Sequence, residues 1–216
     1  MKERYFQPET TGPLSSHWLD IFASSRKNRQ QPFRLPKAAL LILDMQEYFL
    51  DPESHAYIPS AEAILPHLNQ LGSYFRQEKR PVLATRHANS KQNARRMGSW
   101  WSELLTEDHP LGNLHPDLEI ELPEIILKAQ YDAFFESDLD QKLSQAGVEQ
   151  LVIGGVMAHL CCETTARSAF VRGYEVFFLI DGTATYNEAF HKGTLRNLAH
   201  GFAVLTTVKD LIGEDQ

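Results

Sequence analysis

Only two cysteines, Cys161 and Cys162, stand in the 216 residues, and they are adjacent. A bridge between chain neighbours is strained and two thiols make no disulfide framework, so a reducing, cytoplasmic setting is expected. The chain also lacks a basic block: 28 acidic residues against 21 Lys and Arg leave a formal charge of −7. Such a surface repels phosphate backbones, which argues against nucleic acid as a partner. No apolar run reaches the length of about 18 residues that a membrane helix needs. The stretch Met1 to Phe33 is polar and carries no apolar centre of a secretion signal. With 43% hydrophobic and 23% charged residues, disordered and fibrous classes drop out. What remains is one globular domain, an enzyme or a binder of small molecules.

Residues 1–36 are punctuated by Pro8, Gly12, Pro13, Pro32 and Pro36. They read as an arm laid over a domain spanning 37–216, with a short helix around Trp18 to Phe22 capped by Ser15 or Ser16. From Ala38 onward, apolar runs alternate with amphipathic stretches. Ala38–Leu43, Pro81–Thr85, Glu124–Leu127, Gln150–Ile153, Tyr174–Ile180 and Phe202–Leu205 read as strands. Unbroken apolar runs suit strands covered on both faces. Helices are predicted from a cap at Ser60 through Phe75, around Met97–Leu105, and over Ser137–Ala146, Leu160–Arg172 and Glu188–His200. This alternation specifies a three-layer α/β/α fold with a six-stranded, mainly parallel sheet. Residues 86–122 form a long irregular excursion, the kind of segment that shapes a site.

In open α/β sheets ligands bind at the carboxyl ends of strands. The first polar residues there are Asp44, Lys128 and, just beyond the fourth strand, Cys161. A carboxylate, an ammonium and a thiol form a set with chemical content. The thiolate is the reactive form of cysteine, and Lys128 together with a helix start is expected to favour it, with Asp44 accepting the proton. Each residue alone has a duller reading. Asp44 suits a helix cap, Lys128 a surface rim, and a buried cysteine is more often packing than nucleophile.

Three local sequences carry a resemblance. Leu43-Asp44-Met45-Gln46-Glu47-Tyr48-Phe49-Leu50, Lys128-Ala129-Gln130-Tyr131-Asp132-Ala133-Phe134 and Gly155-Val156-Met157-Ala158-His159-Leu160-Cys161-Cys162-Glu163-Thr164-Thr165-Ala166 resemble, in order, the three signatures of the isochorismatase-like hydrolases. The resemblance spans about Ala38 to Leu211. It implies Asp44 as general base, Lys128 as its partner and Cys161 as nucleophile. It also implies a cis peptide at Val156–Met157 and an oxyanion hole from the Met157 and Cys161 N–H groups. A homodimer or larger homo-oligomer is implied as well, with no cofactor. Phe49, His87, Trp100, Phe134 and His159 are the expected pocket residues. The nicotinamidase branch holds a metal after the second strand. Here that stretch reads Thr85-Arg86-His87-Ala88-Asn89, with one imidazole and no carboxylate, so no metal is expected. Cys161 points to amide cleavage through a thioester. The arm, Tyr48-Phe49-Leu50 and Ala158-His159 resemble instead the branch that cleaves a vinyl ether, with Asp44 as acid. A non-catalytic binding protein is the third reading.

Overall fold

The computed structural model describes residues 1–23, 31–120 and 124–213. The strands are β1 (Ala38–Leu43), β2 (Val82–His87), β3 (Ile125–Lys128), β4 (Gln150–Val156), β5 (Glu175–Ala184) and β6 (Ala203–Thr206). They form one sheet in the order β3-β2-β1-β4-β5-β6, with every pairing parallel. β1 and β4 lie side by side at its centre and are buried along their whole length, as their unbroken apolar sequences require. The order reverses between them, which opens a crevice at their carboxyl ends.

The helices are α1 (Thr11–Ala23), α2 (Glu47–Leu50), α3 (Leu65–Gln77), α4 (Met97–Trp100), α5 (Leu139–Gln145), α6 (Glu163–Val171), α7 (Glu188–Gly201) and α8 (Val208–Ile212). α3 packs with α8, and α7 with α1 and α6, in layers flanking the sheet. Leu65, Leu68, Leu71 and Phe75 give α3 its buried stripe.

Several predicted boundaries differ from those observed. α1 starts at Thr11, not near Ser15, because Gly12 and Pro13 fall in its first turn, where a missing N–H costs nothing. Ser15 is therefore buried inside the helix and caps nothing. Ser60 does not cap α3 either. Its hydroxyl accepts the N–H groups of Tyr5 and Phe6 at 3.0 and 3.1 Å, tying the N-terminal segment to the domain. Phe6 and Trp18 are fully buried in the core. The helix expected over Met97–Leu105 stops at Trp100. That over Leu160–Arg172 divides into a π-turn at Ala158–Cys162 and then α6.

One glycine lets the central strands meet at the carboxyl end. Gly155 has φ +102°, and a Cβ there would stand 2.1 Å from the Leu43 carbonyl oxygen. No helix among the described residues is long and apolar enough to cross a membrane.

Candidate active site

Asp44 follows the last residue of β1 with φ 49°, a left-handed conformation in which Asp is tolerated better than most side chains. Its N–H donates to Thr85 Oγ1 at 3.1 Å, and the Thr85 hydroxyl donates back to Asp44 Oδ1 at 2.6 Å. That leaves Oδ2 facing the Lys128 ammonium, 2.7 Å away, with both side chains fully buried. Lys128 is the last residue of β3. Its Nζ also donates to the Gln130 carbonyl at 2.9 Å and stands 3.5 Å from Cys161 Sγ and 3.3 Å from His87 Nδ1. Cys161 lies in the π-turn after β4. Strand ends two places apart on one side of the sheet centre, and a turn on the other, thus bring a carboxylate, an ammonium and a thiol together.

An ammonium has no acceptor, so His87 Nδ1 must be the unprotonated nitrogen. Its Nε2–H then donates to Asn89 Oδ1 at 2.9 Å. Burial first, and Lys128 second, push the imidazole down to about 4, so it is neutral at pH 7. Gln46 locks the same region: its amide donates to the His87 and Gly112 carbonyls and accepts the His87 N–H at 2.8 Å.

The thiol does not behave as the sequence suggested. Burial pushes Cys161 up to about 12, with Asp44 adding to the rise and Lys128 opposing it. Lys128 moves upward too: burial works against its charge, but Asp44 foremost and Cys161 outweigh it. At rest, then, Lys128 is charged, held against Asp44 Oδ2, and the thiol is neutral. Low dielectric defeats one nearby ammonium that already has a carboxylate partner. Cys162 is fully buried with Sγ toward the Gly154 carbonyl, and burial raises its thiol also.

Cys161 lines a cavity whose empty space, its solvent-filled mouth included, is about 560 Å³. Phe49, His87 and Met157 line it, but three other expected residues do not. Trp100 is 78% exposed; α4 ends there, and the next residue turns inward instead. Trp101 lines the cavity and donates its indole N–H to the Tyr131 hydroxyl at 2.8 Å. Phe134 is buried elsewhere, stacked on Tyr174 with the Arg172 guanidinium over its ring. His159 turns to Thr185 Oγ1 and stacks on Phe190. Sequence reasoning missed Tyr48, His55, Glu103, Tyr131 and Tyr186 as lining residues. Most come from irregular segments, where no periodicity says which side chain turns inward. The Val156–Met157 peptide is cis.

The stretch after β2 does not suit the metal of the nicotinamidase branch. His87 offers one nitrogen to the Lys128 ammonium and the other to Asn89, and a cation beside Lys128 would be repelled. Among the described residues no three His, Cys, Asp or Glu converge as a metal set.

Residues 38–210 match the Isochorismatase domain family. The chain is 36% identical over 173 residues to Nicotinamidase 3 of Arabidopsis thaliana, covering 78% of this chain and 83% of that one. It is 32% identical over 173 residues to Enterobactin synthase component B of Escherichia coli K12, covering 77% of this chain but 59% of that protein. A cysteine hydrolase from Pseudomonas syringae pv. phaseolicola superposes with a TM-score of 0.80 over 85% of this chain and 94% of its own, at 24% identity, a likeness of fold. With a family match over most of its length and a relative above one-third identity, the chain belongs to the isochorismatase family and is a hydrolase of that family.

Proposed function

We propose that this hydrolase cleaves a small amide through a thioester on Cys161, with no metal in the step. One observation carries the reading. A single ammonium, Lys128 Nζ, sits 2.7 Å from Asp44 Oδ2 and 3.5 Å from Cys161 Sγ, and Cys161 lines the cavity.

Asp44 takes the thiol proton as the sulfur attacks the carbonyl carbon. Since the thiol is pushed up to about 12, proton loss belongs to the attack itself and no standing thiolate precedes it. Lys128 stabilises the charge arriving on sulfur. The N–H groups of Met157 and Cys161 hold the oxyanion, Cys161 lying in a first helical turn where N–H groups lack intrahelical partners. The tetrahedral intermediate collapses, the C–N bond breaks, and Asp44 returns its proton to the departing amine. Water, deprotonated by Asp44, then attacks the thioester; the carboxylic acid leaves and the thiol is restored. Relatedness to a nicotinamidase supports amide chemistry over vinyl-ether cleavage.

A panel of small carboxamides, nicotinamide among them, with ammonia release as readout, tests the reading. Cys161→Ala is expected to abolish release, and intact-mass analysis of the quenched wild type to show an acyl adduct. Turnover that survives Cys161→Ala, or pyruvate release from isochorismate with no amide cleaved, overturns it.

A further inference from the structure

Among the polar residues of the cavity wall, Glu103, Tyr48 and His55 form a cluster that the mechanism leaves unused. Glu103 Oε2 accepts the Tyr48 hydroxyl at 3.1 Å and His55 Nδ1–H at 2.8 Å. Its other oxygen, Oε1, meets His109 Nε2 at 3.6 Å, longer than a hydrogen bond, and so keeps its capacity to accept. Although burial opposes it, hydrogen bonds from Tyr48 and His55 hold the Glu103 carboxyl below its ordinary range, so it is anionic at neutral pH. The Glu103 side chain is 47% exposed whereas Cys161 as a whole residue is 7% exposed, so of the two the carboxylate is the one that solvent reaches.

The rest of the wall has a matching character. Tyr48, Phe49, Trp101, Tyr131 and Tyr186 bring five aromatic rings to the cavity, and neither Lys nor Arg lines it among the described residues. Lys128 is fully buried and held by Asp44, so it offers no charge to a ligand's far end. A carboxylate among aromatic faces attracts a cation both through its charge and through the ring quadrupoles, and it repels a carboxylate.

We propose that the cavity takes amides whose end remote from the scissile bond carries a cationic nitrogen, with Glu103 as the specificity-determining residue. This rests on the amide reading above and adds the substrate's charge to it. Tyr48 and His55 fix the carboxylate in place, and the rings enclose the cation once the amide lies against Cys161.

Three matched amides test it: 4-(trimethylammonio)butanamide, its neutral isostere 5,5-dimethylhexanamide, and anionic glutaramate. Ammonia release gives kcat/KM for each, and protection of Cys161 from iodoacetamide gives binding without turnover. The wild type is expected to favour the cationic amide over the neutral one by about tenfold, and to disfavour the anion. In Glu103→Gln the ratio of cationic to neutral kcat/KM is expected to fall by about the same factor. Equal kcat/KM for all three amides, or a ratio unaltered by Glu103→Gln, overturns the charge selectivity and leaves amide hydrolysis standing. Conversely, if none is cleaved while the cationic amide alone protects Cys161, and does so only with Glu103 present, the hydrolytic reading fails and the selectivity holds.

Discussion

Lowering the pH from 7 to 5 should weaken the fold through His191, a residue that the proposed mechanism does not use. Its ring is fully buried against Tyr5, Phe6 and Trp18, with centroids 5.7, 5.6 and 5.2 Å away. The Thr183 hydroxyl donates to the Leu179 carbonyl at 2.6 Å, so its oxygen accepts from His191 Nε2–H at 3.0 Å. Nδ1 is then the acceptor for the Tyr5 hydroxyl, also at 3.0 Å, and that hydroxyl's oxygen is taken by the Thr185 N–H. No place is left for a second proton. Burial accordingly pushes the imidazole from 6.5 down to about 3.

Between those values the unfolded chain binds a proton that the native state refuses. The stability is complete above about pH 6.5 and is lost as pH falls toward 3. At pH 5, 1.5 units below the unfolded value, the loss is about 2 kcal/mol. Urea unfolding of wild type and His191→Gln at pH 7 and pH 5 isolates it. His87, also depressed, is common to both proteins and cancels. The drop between the two pH values should be about 2 kcal/mol smaller in the variant. An equal drop in both proteins would refute the assignment of a neutral, proton-refusing His191.

Lys128→Met should destabilise the protein by about 3–5 kcal/mol, because it strands the Asp44 carboxylate in a dry interior. Adding Asp44→Asn should recover much of that stability but none of the turnover, as read by denaturant midpoints beside ammonia release. Trp18→Ala should cost about 3–5 kcal/mol, as for a large core side chain. Ile21→Ala, on the exposed side of the same helix, should stay within about 0.5 kcal/mol by thermal unfolding. Equal effects at both positions would show that the N-terminal helix is not held by its buried face.

The sheet was legible because β1, β4 and β5 are long apolar runs that only a doubly covered strand tolerates. Asp44 and Lys128 were legible for a related reason: a polar residue at the end of such a run marks the strand's carboxyl end. Cys161 was found through the pattern around it. Its protonation was not, since burial depends on everything packed against the sulfur and no local spacing encodes that. Trp100 and Trp101 illustrate another limit: adjacent identical residues in an irregular segment carry no signal for which faces inward. Phe134 and His159 lie close in sequence to reactive residues, yet their side chains leave in other directions. Glu103 is one more surface acid by composition; only its contacts with Tyr48 and His55 set it apart.

At Gly155 the main chains of β1 and β4 touch, with no side chain between them. The span between Asp44 and the loop bearing Cys161 is therefore ruled by backbone atoms rather than by side-chain packing. The cavity walls, drawn mostly from irregular segments, have no such restraint. A substitution in that lining can therefore alter what the cavity accepts while the spacing of Asp44 and Cys161 stays put.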